Sequence, residues 1–105
     1  MFTSTPTPSG HIVMSQWNIV VLKFENGEVL EKFLGLDDAT GRYRISSEVL
    51  VYDDEIRSGR TRSGSHYRFI DKPGKLHPDA RQVLDYLDSQ INITASLKFP
   101  QHLDV

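Results

Sequence analysis

Cationic side chains are concentrated in one segment of the chain, residues 56–77. This segment holds six arginines and lysines but only one acidic residue, Asp71, so its net charge is +5, whereas the whole chain carries −2. Guanidinium and ammonium groups neutralise phosphates, and an imidazole or phenol ring stacks on an unpaired base. The segment therefore predicts a nucleic-acid- or anion-binding surface within residues 57–75, with Arg57, Arg60, Arg62, His66 and Arg68 as its binding residues.

The same segment also fits a purely structural interpretation. Side chains alternate across a strand, so Tyr67 and Phe69 would face the core while Arg68 faces solvent. Gly64 would then mark a bulge or the bend of a curled sheet, and the acidic turn at residues 53–55 is near enough in sequence to pair with the arginines. Nucleic-acid binding is for this reason an alternative and not the favoured function.

The sequence contains no pattern that is typical of an enzyme or a metal site. The four histidines lie in four different segments, and none forms the closely spaced pair that zinc sites usually contain. The chain has no cysteine, which excludes disulfides, thiolate ligands and cysteine nucleophiles. It also lacks the nucleophile-elbow, Walker and dinucleotide-binding motifs. We therefore predict a non-enzymatic protein without catalytic residues, metal or cofactor.

The composition fits one globular domain. The chain has 105 residues, of which 38% are hydrophobic, and no apolar run approaches the roughly 20 residues that a membrane-spanning helix needs. The first residues lack the features of a signal peptide, and the absence of cysteine suits a reducing compartment, so we predict a cytoplasmic protein with no membrane contact. Residues 1–13, rich in Ser, Thr and Pro, predict a flexible arm before a domain over residues 14–105, and translation starting at Met14 stays open.

Runs of β-branched and aromatic residues, separated by turn residues, predict a mostly antiparallel sheet. The first strand covers residues 17–24 and leads through an Asn-Gly pair, the sequence of a type I′ hairpin turn, into the second strand. A third strand is predicted over residues 43–52, with a kink at its two serines, and a fourth lies within residues 56–70. A short fifth strand follows over residues 93–99.

One amphipathic helix is predicted over residues 78–91. Pro78 suits the first turn, where its missing N–H costs no hydrogen bond, and Asp79 interacts favourably with the positive end of the helix dipole. Apolar residues recur with helical spacing along one face, and these are Ala80, Val83, Leu84, Leu87 and Ile91.

Both faces of the first predicted strand are apolar. Val20 and Leu22 point to one side of the strand, and Trp17, Ile19 and Val21 point to the other. One helix covers only one face of a small sheet, so the second face either curls into the interior of a barrel or is covered by a second copy of the protein. The second possibility predicts a homodimer that associates through Trp17, Ile19 and Val21, and barrel closure is the alternative.

These elements define an α+β fold. We expect a curved, mostly antiparallel sheet of four to five strands, with an SH3-like partial barrel as one form of that curvature, and one C-terminal helix.

The run TRSGSHYRFIDKPG, residues 61–74, together with the helix that follows, resembles a motif in small uncharacterised bacterial proteins. Such proteins are encoded in phage-like or integron gene-cassette contexts and carry an Arg-Ser-Gly strand, a nearby tyrosine, a Pro-Gly turn and a C-terminal helix. The resemblance implies an α+β fold and a mobile-element origin, and it transfers no functional residue. The residues that carry it are Arg62, Ser63, Gly64, Tyr67, Pro73 and Gly74.

Three functions stay open at this point. The favoured one is a non-enzymatic, self-associating interaction module that binds a protein partner. The first alternative is the nucleic-acid- or anion-binding module described above. The second is a small-ligand binder with a pocket between helix and sheet, lined by Tyr43, Tyr52, Tyr67 or Tyr86.

Overall fold

The computed structural model describes residues 11–99, which form a six-stranded, mostly antiparallel sheet and one helix. This confirms the α+β class with one C-terminal helix and adds a strand, because the predicted fourth strand is in fact two strands joined by a turn. The elements are β1 (His11–Phe24), β2 (Val29–Asp37), β3 (Arg42–Asp53), β4 (Ser58–Thr61), β5 (His66–Phe69), α1 (Pro78–Asp88) and β6 (Ile93–Leu97).

The strand pairings run around the molecule and return to the strand from which they start. β1 pairs with β2, β2 with β3, β3 with β4 and β4 with β5, all antiparallel. β5 then pairs in parallel with residues 11–14 of β1. On the same edge, residues 20–24 of β1 pair with β6. β1 therefore belongs to two parts of the sheet, and the sheet must curl to bring β5 back against it.

An irregularity at Gln16 divides β1 into two halves. Gln16 has a left-handed φ of 45°, and the register with β2 shifts at this point. Its N–H donates to Asp71 Oδ2 at 2.9 Å, and its carbonyl accepts from His77 N–H at 3.0 Å, so the segment before α1 holds the bulge in place. The extra residue reverses the alternation of side chains, so Met14 and Trp17 both lie in the inner cluster although they are three residues apart.

The sheet has one apolar cluster on each of its two sides. On the outer side α1 packs across β6, β2 and β3, and β1 residues complete the apolar cluster beneath it. On the inner side the curled sheet encloses a second cluster. Both faces of β1 are thus covered within the chain. The buried outer residues are Val20, Leu22, Leu34, Leu76, Ala80, Leu84 and Ala95, and the inner ones are Met14, Trp17, Ile19, Phe33, Tyr67 and Phe69.

The residues of the predicted self-association surface do not form a surface. Trp17 and Ile19 are fully buried, and Val21 is half-buried. The Trp17 ring stacks on Phe69 with a centroid distance of 3.7 Å, and its Nε1 donates to the Asp71 carbonyl at 2.8 Å. Trp17 and Ile19 have no exposed area to offer a second copy, because the pairing of β5 with β1 covers their side of the strand. The homodimer stays a prediction without an assigned surface.

The ends of several elements differ from the prediction, and the differences at β1 and α1 matter most. β1 begins at His11, so residues 11–13 belong to the sheet and not to the arm, while residues 1–10 lie outside the described residues. α1 begins at Pro78 as predicted but ends at Asp88, and Ile91 is 86% exposed beyond its end. Within residues 11–99, no helix has the length and apolar character that crossing a membrane requires.

Two turn features show how local sequence shapes the sheet. The β1–β2 turn has a positive φ only at Gly27 (94°) and not at Asn26 as well, so it is not the predicted type I′ turn, which needs both. The predicted kink in β3 is present as a register shift that sets Ser46 and Ser47 against the single residue Phe33. Ser46 Oγ accepts from Phe33 N–H at 2.8 Å and so replaces a backbone partner.

The end of α1 also closes part of the outer edge of β6. Ala95 N–H, which points away from β1, donates to Asp88 Oδ1 at 3.0 Å. The N–H and C=O groups of an unpaired strand edge can pair with a strand of another molecule. The Asp88 carboxylate accepts from one of these N–H groups, that of Ala95.

Candidate polyanion-binding surface

The centre of the basic segment is a tight hairpin anchored on β3. Its turn, residues 62–65, has Gly64 at φ 89°, and Gly64 N–H donates to the Thr61 carbonyl at 2.9 Å. Arg62 Nε donates to Glu48 Oε1 at 2.8 Å, and Arg62 N–H donates to the Glu48 carbonyl, also at 2.8 Å. The Arg62 side chain is therefore committed to β3, although the sequence marks it as a binding residue.

The serines of this hairpin bond to other hydroxyl groups. Ser63 Oγ lies 3.0 Å from Ser47 Oγ and 3.3 Å from Ser65 Oγ. Asp71, the nearest acidic residue along the chain, instead uses Oδ2 to hold the bulge of β1. These contacts bring no carboxylate to the serines, so the cluster is not arranged as a nucleophile with a base and an orienting acid.

Strand register places a first row of side chains across the outer side of β3, β4, β5 and β1. Arg60 lies opposite Val51 on β3 and His66 on β5, and His66 lies opposite His11 on β1. The imidazole rings of His66 and His11 meet edge to face, with centroids 5.4 Å apart and planes at 72°. One row of the sheet thus presents a guanidinium group beside two imidazoles.

A second row runs next to the first. Ser58 lies opposite Asp53 on β3 and Arg68 on β5, and Arg68 lies opposite Val13 on β1. Arg60 and Arg68 are thus diagonal neighbours, with Cα atoms about 7–8 Å apart. We call His11, Arg60, His66 and Arg68 the basic face.

The basic face lies on the part of the outer side that α1 leaves bare. The contacts of α1 with the sheet are concentrated on β6, β2 and β3, and Arg60 and Arg68 are exposed. In the part of the chain that the structure describes, neither arginine forms an ion pair or a side-chain hydrogen bond. Their charges are therefore available to a ligand.

The structure brings together only some of the predicted binding residues. Arg60, His66 and Arg68 share the basic face, whereas Arg62 pairs with Glu48. Arg57 has a left-handed φ of 50° in the turn before β4, and its Nη1 lies 3.5 Å from the Ile70 carbonyl. The sequence does not predict His11 as a binding residue, because His11 falls within the predicted arm and no sequence feature indicates the parallel pairing of β1 with β5.

A shallow, open depression of about 240 Å³ borders the basic face. Val51 and Ile56 form its apolar wall and are 50% and 67% exposed. Its polar wall includes Asp53, whose Oδ1 accepts from Glu55 N–H at 2.9 Å. The lining consists of Val51, Asp53, Ile56, Ser58, Gly59, Arg60 and His66.

The tyrosines of the predicted small-ligand pocket do not line one cavity. Tyr67 belongs to the inner cluster, where its hydroxyl accepts from Arg44 Nε at 3.2 Å. Tyr52 packs against the same cluster. Tyr43 and Tyr86 are 47% and 65% exposed on β3 and α1. These four tyrosines therefore lie in different parts of the fold and do not line one pocket between α1 and the sheet.

Two hydrogen bonds near the inner cluster change the acidity of their groups. The bond with the Tyr67 hydroxyl raises the pKa of Arg44 above its usual value and outweighs the effect of burial, and the nearby Asp37 carboxylate adds to the rise. Burial raises the pKa of the Tyr52 phenol well above its usual value, and the hydrogen bond that it donates to Asp54 Oδ1 at 2.8 Å raises it further. Both groups keep their proton at neutral pH.

No family model, curated protein or solved structure matches this chain. The bacterial mobile-element origin and the cytoplasmic location therefore stay predictions. Among residues 11–99, no three His, Cys, Asp or Glu side chains converge as metal ligands would.

Proposed function

We propose that the protein is a non-enzymatic binding module that takes a phosphate-bearing polyanion on its basic face. The observation that carries this proposal is the placement of Arg60 and Arg68. Both are exposed, both lack an anionic partner within the described residues, and they flank His66 on adjacent strands. Two guanidinium groups at this spacing suit a chain of regularly repeated phosphates better than a single small anion.

We prefer this proposal to the self-associating interaction module that the sequence favours, which stays a prediction. That function depended on Trp17 and Ile19 as exposed residues, and both are buried in the inner cluster. The surface that remains bare on the outer side is cationic at Arg60 and Arg68.

We also propose that the fold is a variant of the SH3-like barrel. The support is the ring of pairings from β1 through β5 and back to β1, with an apolar cluster inside it. In such a barrel the basic face lies on the outside wall, opposite the part that α1 covers.

The test is the affinity of the protein for long-chain polyphosphate, which carries charge but no bases. We expect Arg60→Glu combined with Arg68→Glu to weaken binding at least tenfold at about 50 mM salt and to flatten the dependence of affinity on salt. Lys23→Glu combined with Arg42→Glu is the matched control, because it changes the net charge equally at exposed residues elsewhere on the sheet.

Two outcomes would contradict the proposal. One is the absence of polyphosphate binding at about 50 mM salt, where electrostatic affinity is strong. The other is equal weakening by the two double variants, which would mean that binding follows net charge and not the basic face.

A further inference from the structure

The depression beside the basic face has a chemistry that phosphate binding does not use. Val51 and Ile56 are largely exposed and form an apolar wall next to Arg60. Gly59 lines the depression with its backbone, and the side-chain direction at this position points to the inner side, toward Phe33. Apolar side chains do not attract a phosphate, but they fit the face of a planar ring.

His66 lies where the depression and the basic face meet. It lines the depression and also stands between Arg60 and His11 in the first row. Because the two imidazoles are nearly perpendicular, at 72°, at least one of them keeps both of its ring faces clear of the other. Aromatic rings in such positions stack on unpaired bases.

Asp53 gives the depression a hydrogen-bond acceptor. Its Oδ1 accepts from Glu55 N–H, and no hydrogen bond reaches its Oδ2 from any residue in the range 11–99. A carboxylate repels phosphate and accepts from the N–H groups on the edge of a base. Asp53 therefore favours a base in the depression and disfavours a phosphate there. The phosphates bind instead at Arg60 and Arg68.

We propose, on the basis of the polyanion-binding function above, that the polyanion is a single-stranded nucleic acid and that one unpaired base occupies the depression. The base lies against His66 and Ile56 and donates to Asp53, while the neighbouring phosphates bind Arg60 and Arg68. A base inside a duplex is paired and stacked, so it cannot enter an open depression on a sheet without being extruded.

The test compares three ligands of equal length: a single-stranded oligonucleotide, an abasic strand with the same phosphates, and a duplex. We expect the oligonucleotide to bind at least fivefold more tightly than the abasic strand, because stacking of one base contributes that much. Ile56→Ser should lower the affinity for the oligonucleotide and leave the affinity for the abasic strand unchanged. His66→Ala should weaken binding of the oligonucleotide by a larger factor than binding of the abasic strand. Ile91→Ser, at an exposed residue outside the lining, is the control.

The results distinguish failure of this inference from failure of the proposed function. Equal binding of the oligonucleotide and the abasic strand, or equal weakening of both by His66→Ala, would overturn the base site and leave polyanion binding standing. A duplex that binds as tightly as the single strand would overturn it as well. Binding to none of the three ligands would overturn both proposals. The fluorescence of the buried Trp17 shows whether each variant is folded.

Discussion

The curled sheet predicts an energetic coupling between Gly59 on β4 and Phe33 on β2, two strands that are not paired with each other. A Cβ atom at Gly59 would overlap the Phe33 Cζ and lie 2.8 Å from its Cε2. Phe33 is fully buried, and four aromatic rings surround it. We therefore expect Gly59→Ala to lower the free energy of unfolding by about 2–3 kcal/mol through overpacking.

Shortening the opposing ring should relieve this strain. Phe33→Leu by itself should cost about 1–2 kcal/mol, less than the removal of a whole phenyl side chain. In the double variant the leucine no longer reaches the new methyl group, so the loss should be smaller than the sum of the two single losses by about 1–2 kcal/mol. Urea unfolding followed by Trp17 fluorescence measures all three values.

Gly35→Ala is the matched control. A Cβ at Gly35 would lie 2.8 Å from the Trp17 Cα, so the strain there falls on the backbone of β1, and Phe33→Leu should not relieve it. If the losses for Gly59→Ala and Phe33→Leu simply add, within about 0.5 kcal/mol, then β2 and β4 do not face each other across the interior. That result would refute the closure of the sheet.

Three further predictions concern single positions. Because the pKa of Tyr52 is raised in the folded protein, the phenol ionises in the unfolded chain before it ionises in the folded one as the pH rises above about 10. The contribution of Tyr52 to the free energy of unfolding is therefore complete below that pH and is lost above it. Tyr52→Phe should flatten this alkaline fall in the urea midpoint, and an unchanged slope would contradict the assignment. Asp88→Ala removes the acceptor of Ala95 N–H and should cost about 1 kcal/mol, measured as roughly fivefold faster hydrogen exchange at that amide. Gln16→Gly should raise the melting temperature, because the left-handed φ of 45° strains any residue except glycine. The Gln16 side chain is exposed, so its removal costs little packing. A lower melting temperature would mean that the side chain itself holds the bulge.

The sequence predicts the features of the fold that depend on neighbouring residues. Pro78 correctly marks the start of α1, where His77 Nδ1 accepts from Asp79 N–H at 3.1 Å. The helix stripe fails at Ile91 because Ser89 Oγ donates to the Tyr86 carbonyl at 2.6 Å and competes with continuation of the helix. The spacing of the apolar residues does not indicate such a competing hydrogen bond.

The features that the sequence does not predict depend on residues far apart in the chain. The two-sided apolar character of β1 correctly indicates that its second face needs a cover. It does not indicate that β5, more than 50 residues later, supplies that cover by pairing with β1 in parallel. For the same reason Trp17 is predicted at a surface and His11 in an arm. The arginines of the candidate site are visible in the sequence, but the pairing of Arg62 with Glu48 is not.

The bulge at Gln16 gives β1 two independent patterns of inside and outside. On its N-terminal side the even-numbered residues Ile12 and Met14 point inward, and on its C-terminal side the odd-numbered residues Trp17 and Ile19 do so. Substitutions at His11 or Val13 therefore change the outer side of the sheet without disturbing the positions that α1 covers. Deletion of the extra residue would have the opposite effect, because it would turn the His11 side chain toward the apolar interior and the Met14 side chain toward solvent.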